Sequence, residues 1–170
     1  MVVAPSSRDP RLVAVHRGGS LAEADHRLLA AWAADCAERV LPLFEVAYAG
    51  DSRGADAVSA ARAWAAGQRP MTQARAAAVA AHAAARAASG PASLAARACG
   101  HAAATAHMAD HDLGAAYYAL LAIEANGASP TQLDAEREWQ VEALPEPVAE
   151  LVCSDMRLRA AKFRDRFRMT

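Results

Sequence analysis

The sequence predicts an all-α protein, a single-domain bundle of six or seven helices in orthogonal or up-and-down packing. Three observations carry that expectation. Apolar residues recur at helical spacing in one segment after another. Alanine supplies most of the hydrophobic fraction of 54%, and it is the strongest helix former because it loses no side-chain entropy on folding. No stretch alternates apolar and polar residues with period two for long enough to build a sheet. A chain of 170 residues suits one domain, since domains most often run about 100–150 residues. At that size roughly 70% of the unfolded surface can be buried without staples. Alanine buries little area, so the core must rest on close helix approach and on a few large side chains: Trp32, Trp64, Trp139, Phe44, Tyr117, Tyr118 and scattered Leu and Val.

Residues 1–19, with Pro5, Pro10 and Gly18-Gly19, read as an irregular arm containing a short extended piece at Leu12-Val13-Ala14-Val15; residues 20–170 read as the helical domain. Ser20-Leu21-Ala22-Glu23 has the pattern of a capping box, in which the hydroxyl and the glutamate satisfy the first free amides of a helix. Leu21, Leu28, Leu29, Trp32, Cys36, Val40 and Leu43 follow at helical spacing. Pro42 should end or kink that helix near Leu41, with a further turn through Phe44 and Tyr48. After the turn at Ala49–Gly54, a second helix carries Val58, Ala61 and Trp64 inward and stops at Gly67-Gln68-Arg69-Pro70. Thr72 should cap a third helix that reaches Ser89. Gly90-Pro91 breaks the chain, and Pro91 suits the first turn of a fourth. This helix either breaks near Asp110–Asp112 or runs on through Tyr117, Leu120, Leu121 and Ile123. Asn126-Gly127 ends it, and Ser129-Pro130-Thr131-Gln132 starts the next with a second capping pattern. Pro145 and Pro147 precede a last helix expected from about Val148 toward Phe167. Helix pairs of about thirty residues resemble a solenoid period, but no repeated motif supports one.

The net charge is −1, which speaks against a dominant nucleic-acid surface, because phosphate binding shows as a basic excess. The three cysteines, Cys36, Cys99 and Cys153, lie far apart. They read as reduced, buried thiols rather than a disulfide framework or zinc ribbon. No charge-free apolar run is long enough for a membrane span, and Met1-Val2-Val3-Ala4-Pro5 lacks the basic start and apolar core of a signal peptide. A soluble, cytoplasmic protein without a cofactor is expected.

The most informative stretch runs from Gly100 to Gly114 and holds His101, His107 and His111 of the six histidines, with Asp110 and Asp112. On one helix His107 and His111 would share a face, with Asp110 close by. A metal site could draw on His107, His111 and Asp110, with Asp112, Asp35 or His82 as further ligands from facing helices. The segment lacks the glutamate of His-Glu-x-x-His and the carboxylates of a di-iron pattern. A structural reading fits it as well. Imidazoles between alanine-lined helices can be satisfied by carbonyls and neighbours, and Asp110 and Asp112 can cap a helix restarting near Leu113. A third reading is a surface for a partner or small ligand.

Asp35 and Arg39 stand four apart and should form an ordinary helix pair. The basic run from Met156 to Arg168 reads as a docked C-terminal helix with Leu158, Phe163 and Phe167 as its apolar stripe; contact with an acidic partner, nucleic acid or a membrane surface is the alternative. There is no phosphate loop, no Gly-x-Ser-x-Gly and no Cys–His pair with triad logic.

Four blocks carry a resemblance. They are Ala33-Ala34-Asp35-Cys36-Ala37-Glu38-Arg39-Val40-Leu41; Ala60-Ala61-Arg62-Ala63-Trp64-Ala65-Ala66-Gly67; Ala106-His107 through His111-Asp112-Leu113-Gly114-Ala115-Ala116-Tyr117-Tyr118-Ala119; and Glu138-Trp139-Gln140 with Leu144-Pro145. In this order they resemble the blocks of a bacterial, largely actinobacterial, family of immunity proteins that sometimes carry an exonuclease label. The resemblance spans about Leu12 to Arg159. It implies an all-helical cytoplasmic protein that binds and neutralises a protein toxin, with no catalytic residues to carry over. Leu121 departs from the family pattern, where a lysine follows the tyrosine block, so the partner here would differ if that lysine touches a toxin. The exonuclease label has no support in the residues, since nuclease chemistry wants clustered acids for metal ions, and Asp35, Asp110 and Asp112 are a thin set.

Two functions therefore stand side by side. One is a non-enzymatic binding protein using Asp35, Glu38, Asp110 and Asp112 as acidic contacts, with the histidines His107 and His111 near that surface. The other is a helical metal- or ligand-binding enzyme centred on His107, Asp110 and His111. A homodimer through an alanine-rich face is compatible with both.

Overall fold

The structure is a computed structural model that describes residues 8–167. The opening Met1–Pro5 segment and Arg168 lie outside the described residues. Among the described residues eight α-helices follow one another: α1 (Glu23–Glu38), α2 (Leu41–Ala47), α3 (Arg53–Ala65), α4 (Met71–Ala87), α5 (Gly90–Ala104), α6 (Asp112–Ala125), α7 (Pro130–Glu142) and α8 (Glu146–Leu158). Short 3-10 turns occupy Pro10–Leu12, Val15–Arg17 and Ala109–His111. The count exceeds the expected six or seven because two runs are interrupted. Pro42 falls in the first turn of a separate α2, and the histidine segment breaks between α5 and α6.

α5 is the central helix and packs against α1, α2, α3, α4 and α6. Its sequence explains how it can. Ala92, Ala95, Ala96, Ala98, Cys99, Gly100, Ala102, Ala103 and Ala104 are all buried, so small side chains let neighbouring helices approach from most directions. A second core holds the large residues. Leu12, Leu29, Trp32, Leu113, Val148, Val152 and Phe163 meet between α1, α6, α8 and the N-terminal turns. A third, small cluster gathers Ala30, Ala60, Trp64, Ala74 and Ala106.

Local signals hold where nothing distant competes with them. Ser129 and Gln132 form the expected capping box, with Gln132 N donating to Ser129 Oγ at 3.3 Å and Ser129 N donating to Gln132 Oε1 at 2.8 Å. The box expected at Ser20 does not form; α1 starts at Glu23 with Ala22 at its N-cap. Leu21 is instead drawn into an isolated bridge with Ala14, its amide donating to Val13 O and its carbonyl accepting from Val15 N, both at 3.0 Å. That bridge and two flanking 3-10 turns are all that becomes of the expected extended piece at Leu12–Val15. α4 starts at Met71 with Pro70 at the N-cap, which places Thr72 inside the first turn. α8 stops at Leu158, well short of Phe167; tight turns follow, with Arg164 and Asp165 at positive φ. Phe163 still docks, 6% exposed, against the large-residue core. Among the described residues no helix is long and apolar enough to cross a membrane.

Candidate functional site

His107 and His111 do not share a helix. α5 ends at Ala104, where the Thr105 hydroxyl donates to the His101 carbonyl at 3.0 Å, and a linker carries His107 to the 3-10 turn that holds His111. The break nevertheless brings four imidazoles into a row. His107 and His111 have ring centroids 5.3 Å apart. His111 and His101 lie 5.2 Å apart with their Nδ1 atoms at 3.1 Å. His82, from α4, meets His101 edge-on at 5.0 Å and 81°. Tyr118 of α6 stacks on His101 at 5.2 Å and 14°, and the Arg97 guanidinium lies over Tyr118 at 5.9 Å.

Two glycines make room for this row. A methyl group on Gly100 would sit 2.7–2.9 Å from the His82 ring, and one on Gly114 2.5–3.0 Å from the His101 ring. Glycine inside a helix costs about 1 kcal/mol relative to alanine, and here the space is filled by imidazole.

The row is neutral. Burial pulls the His101 imidazolium down to about 3, helped by the charges that His111, His82, Arg97 and Lys162 would place near it. Burial likewise pulls His111 down to about 4, against the opposing pull of Asp110. His82 and His107 are lowered by burial and by Arg97 and Arg86 or Arg75 and Arg17 respectively. The Nδ1–Nδ1 contact then needs one imidazole to donate and the other to accept.

The carboxylates expected beside these histidines are occupied elsewhere. Asp110 Oδ1 accepts from Arg8 at 3.2 Å, and the Asp110 carbonyl accepts from Arg159 at 3.1 Å. Asp112 is fully buried. Asp112 is the first residue of α6 and not its cap, since His111 holds the N-cap position without a side-chain bond; its Oδ1 accepts from the adjacent Leu113 amide at 2.6 Å, and it offers nothing to a partner in solvent. Burial pushes its carboxyl up to about 8, with the Arg159 cation opposing. Arg159 lies 3.8 Å from Asp112 and is ion-paired with Asp155. Asp155 in turn accepts from the Asp9 amide at 2.7 Å. One guanidinium thus serves two buried carboxyls.

Asp35 and Glu38 stand apart from the histidines, both about half exposed and held by Arg62 of α3 at 2.8 and 2.5 Å. The expected Asp35–Arg39 pair is absent because Arg39 has a better offer across the fold. Its guanidinium bonds the nearly buried Glu136 at 2.8–3.0 Å and lies 3.9 Å from the Trp139 ring. Among the described residues no group of three or more His, Cys, Asp or Glu side chains is arranged to hold a metal ion. Of the expected set His107, Asp110 and His111, the two imidazoles meet, while the Asp110 carboxylate is paired with Arg8. His101, the hub of the row, is the residue that spacing could not single out; the only signal in the chain was the pair of helix-interior glycines.

A groove of about 650 Å³ opens next to this region. Leu21, His26, Trp64 and Ala106 line it together with Val15 and Met71. His26 Nε2 donates to the Thr105 carbonyl at 2.6 Å and its ring meets Trp64 edge-on at 4.8 Å.

The family model described as "Imm-5 like putative immunity protein" matches residues 19–147, about three quarters of the chain. The chain belongs to this family. Its matched segment contains α1 to α7 and the whole imidazole row, while the 3-10 turns of residues 10–17 and nearly all of α8 lie outside it. No curated protein and no solved structure matches the chain.

Proposed function

We propose that this member of the immunity-protein family is a non-enzymatic binding protein that neutralises a cognate protein toxin in the cytoplasm. It would do so by covering the toxin's active site or another essential surface. The family match over residues 19–147 is the observation that carries the reading. The chemistry of the histidine region supports it. The imidazoles are held neutral by burial and meet one another edge-on or tilted, and the nearby carboxylates are bound to arginines, so side chains here satisfy one another rather than converge on a reacting atom. Asp35 and Glu38, half exposed on α1 and shared by Arg62, would be the acidic contacts to a basic toxin surface. Asp110 is a weaker candidate, being 20% exposed.

The test is co-expression with each candidate toxin encoded beside this gene. Growth rescue with a stable complex by size-exclusion chromatography is expected for one of them. Failure to rescue or to bind any of them would overturn the reading.

A further inference from the structure

We infer that the outward face of α4 is the docking surface for an acidic helix of a protein partner; under the immunity reading above, on which this rests, that partner is the toxin. No Asp or Glu occurs from Ala57 to Ala109, a stretch that holds Arg62, Arg69, Arg75, Arg86 and Arg97. Arg62 is taken by Asp35 and Glu38, whereas Arg69, Arg75, Arg86 and Arg97 form no ion pair among the described residues. Helical spacing gathers two of these cations on one face. Arg75, Val79, His82 and Arg86 follow at i, i+4, i+7 and i+11, which makes one stripe along α4. Val79 is 62% exposed at its centre. His82 meets His101 of α5 edge-on, and Arg97, one turn before His101, extends the positive charge onto α5.

The neighbouring acids leave the stripe uncancelled. α4 packs against α3 and α5. α5 carries no acid. α3 packs on Ala74 and Ala77, turned away from the stripe, and its Asp56 accepts from the Ser52 hydroxyl at 2.7 Å. Glu45 of α2 bears on Cys99, which is two residues from both Arg97 and His101 and so on the opposite side of α5. Asp110 is paired with Arg8. Glu23 and Asp25 belong to the first turn of α1, which borders α4 at Met71 across the groove, and Glu23 is paired with Arg27. The face is therefore cationic although the whole chain carries −1, and the complementary charge is negative. Arg75 and Arg86 stand about 16 Å apart along the axis, and the chain between them holds only alanine, Val79 and His82. Such small side chains let a second helix approach closely. A phosphate backbone is gripped by hydrogen-bond donors, which alanine and valine side chains lack. A second copy laid on by two-fold symmetry would set Arg75 against Arg86. Docking here breaks no existing pair, whereas Asp35 and Glu38 would have to leave Arg62.

The test uses the full chain and a capped peptide, Glu-Glu-Ala-Ala-Leu-Ala-Ala-Leu-Ala-Ala-Ala-Glu-Glu, with the analogue that has lysine for every glutamate and a duplex RNA oligonucleotide as comparisons. Binding is followed by amide NMR shifts. The acidic peptide should shift amides centred on Val79, saturate with a Kd on the order of 0.1–1 mM, and bind about tenfold more tightly than the lysine analogue. Added salt at about 0.5 M should weaken it. The exposed double variant Arg75→Glu/Arg86→Glu should reverse the preference between the two peptides, while Val46→Asp, exposed on α2, should leave it unchanged. No binding, equal binding of both peptides, shifts centred elsewhere or an unreversed double variant overturns the proposal. So does tighter binding of the RNA to this face, or a dimer of the full chain that the double variant abolishes. If the double variant reverses the peptides yet still rescues growth against the toxin, the face is not the toxin's and the immunity reading stands. If the wild-type chain fails to rescue, the immunity reading falls, and the toxin falls with it as the occupant.

Discussion

The imidazoles of His101 and His111 meet Nδ1 to Nδ1 at 3.1 Å, from residues ten apart in the chain and on either side of a helix break. One must donate and the other accept, so the contact is lost when both rings are doubly protonated and neither can accept. The unfolded chain binds protons at these sites near pH 6.5, whereas the folded chain holds His101 and His111 down near 3 and 4. Between those values the unfolded state carries more protons, so stability is present at neutral pH and declines as pH falls from about 6.5 toward 4. His26, His82 and His107 are lowered in the same direction. Asp112 and Asp155, whose carboxyls are raised, act oppositely but are fewer. The expected loss is roughly 2–5 kcal/mol between pH 7 and 5, read by urea unfolding. His101→Phe keeps the ring against Tyr118 and should flatten the profile; an unchanged profile would show that the row does not set it.

Gly114 and Gly100 should respond differently to alanine. A methyl at Gly114 meets the His101 ring, which is wedged between Tyr118, His82 and His111. Gly114→Ala should cost about 1–3 kcal/mol from overpacking, despite the better helix propensity of alanine. A methyl at Gly100 meets His82, which is only partly buried and can swing outward. Gly100→Ala should cost less, and thermal melts of the two variants make the comparison.

Arg159 separates two buried carboxyls, and the two partners should behave differently on substitution. Asp112 is protonated in the fold up to about pH 8, so its contribution is fully present below the unfolded carboxyl range and is lost as pH rises through 8. Asp112→Asn imitates the protonated form and leaves the unfolded chain no carboxyl to ionise; it should exceed the wild type in stability, by more near pH 9 than near pH 6. Arg159→Met leaves Asp155 buried without its cation and should cost about 3–5 kcal/mol. Denaturant midpoints at the two pH values distinguish these outcomes.

Two surface-reaching arginines should differ just as clearly. Arg62 serves Asp35 and Glu38, all three partners roughly 40–60% exposed, and exposed pairs contribute about 0–1 kcal/mol. Arg39 serves Glu136, whose side chain is 5% exposed. Arg39→Ala strands that carboxylate and should cost about 2–3 kcal/mol, whereas Arg62→Ala should be nearly silent in stability. If Asp35 and Glu38 contact a basic toxin, Arg62→Ala should strengthen that contact by releasing them.

Thiol titration offers a simple check of the core. Burial pushes the Cys99 thiol up to about 12 and raises Cys36 well above its ordinary value. Only the partly exposed Cys153 should react promptly with a disulfide reagent in the native protein, and the other two should appear on unfolding.

The sequence by itself determined the helices, because alanine propensity, helical spacing and the punctuation at Pro42, Gly90-Pro91, Asn126-Gly127 and Ser129 are local signals that act within a few residues. It determined the buried Trp32 and Trp64 and the family as well, whereas Trp139, expected in the core, lies half-buried beneath Arg39. Only the tertiary structure decided the partners. Ser20 could have capped α1, but Leu21 bridges Ala14 instead; Arg39 could have paired with Asp35, but Glu136 and Trp139 hold it across the fold. The spacing of His107 and His111 suggested one helix face, yet the row runs through a break and has its hub at His101, packed over Gly114 and beside His82. The reason is physical. Propensity and spacing act along the chain, whereas an imidazole or a guanidinium settles on the nearest group that satisfies it, and that group is set by which helices α5 brings together.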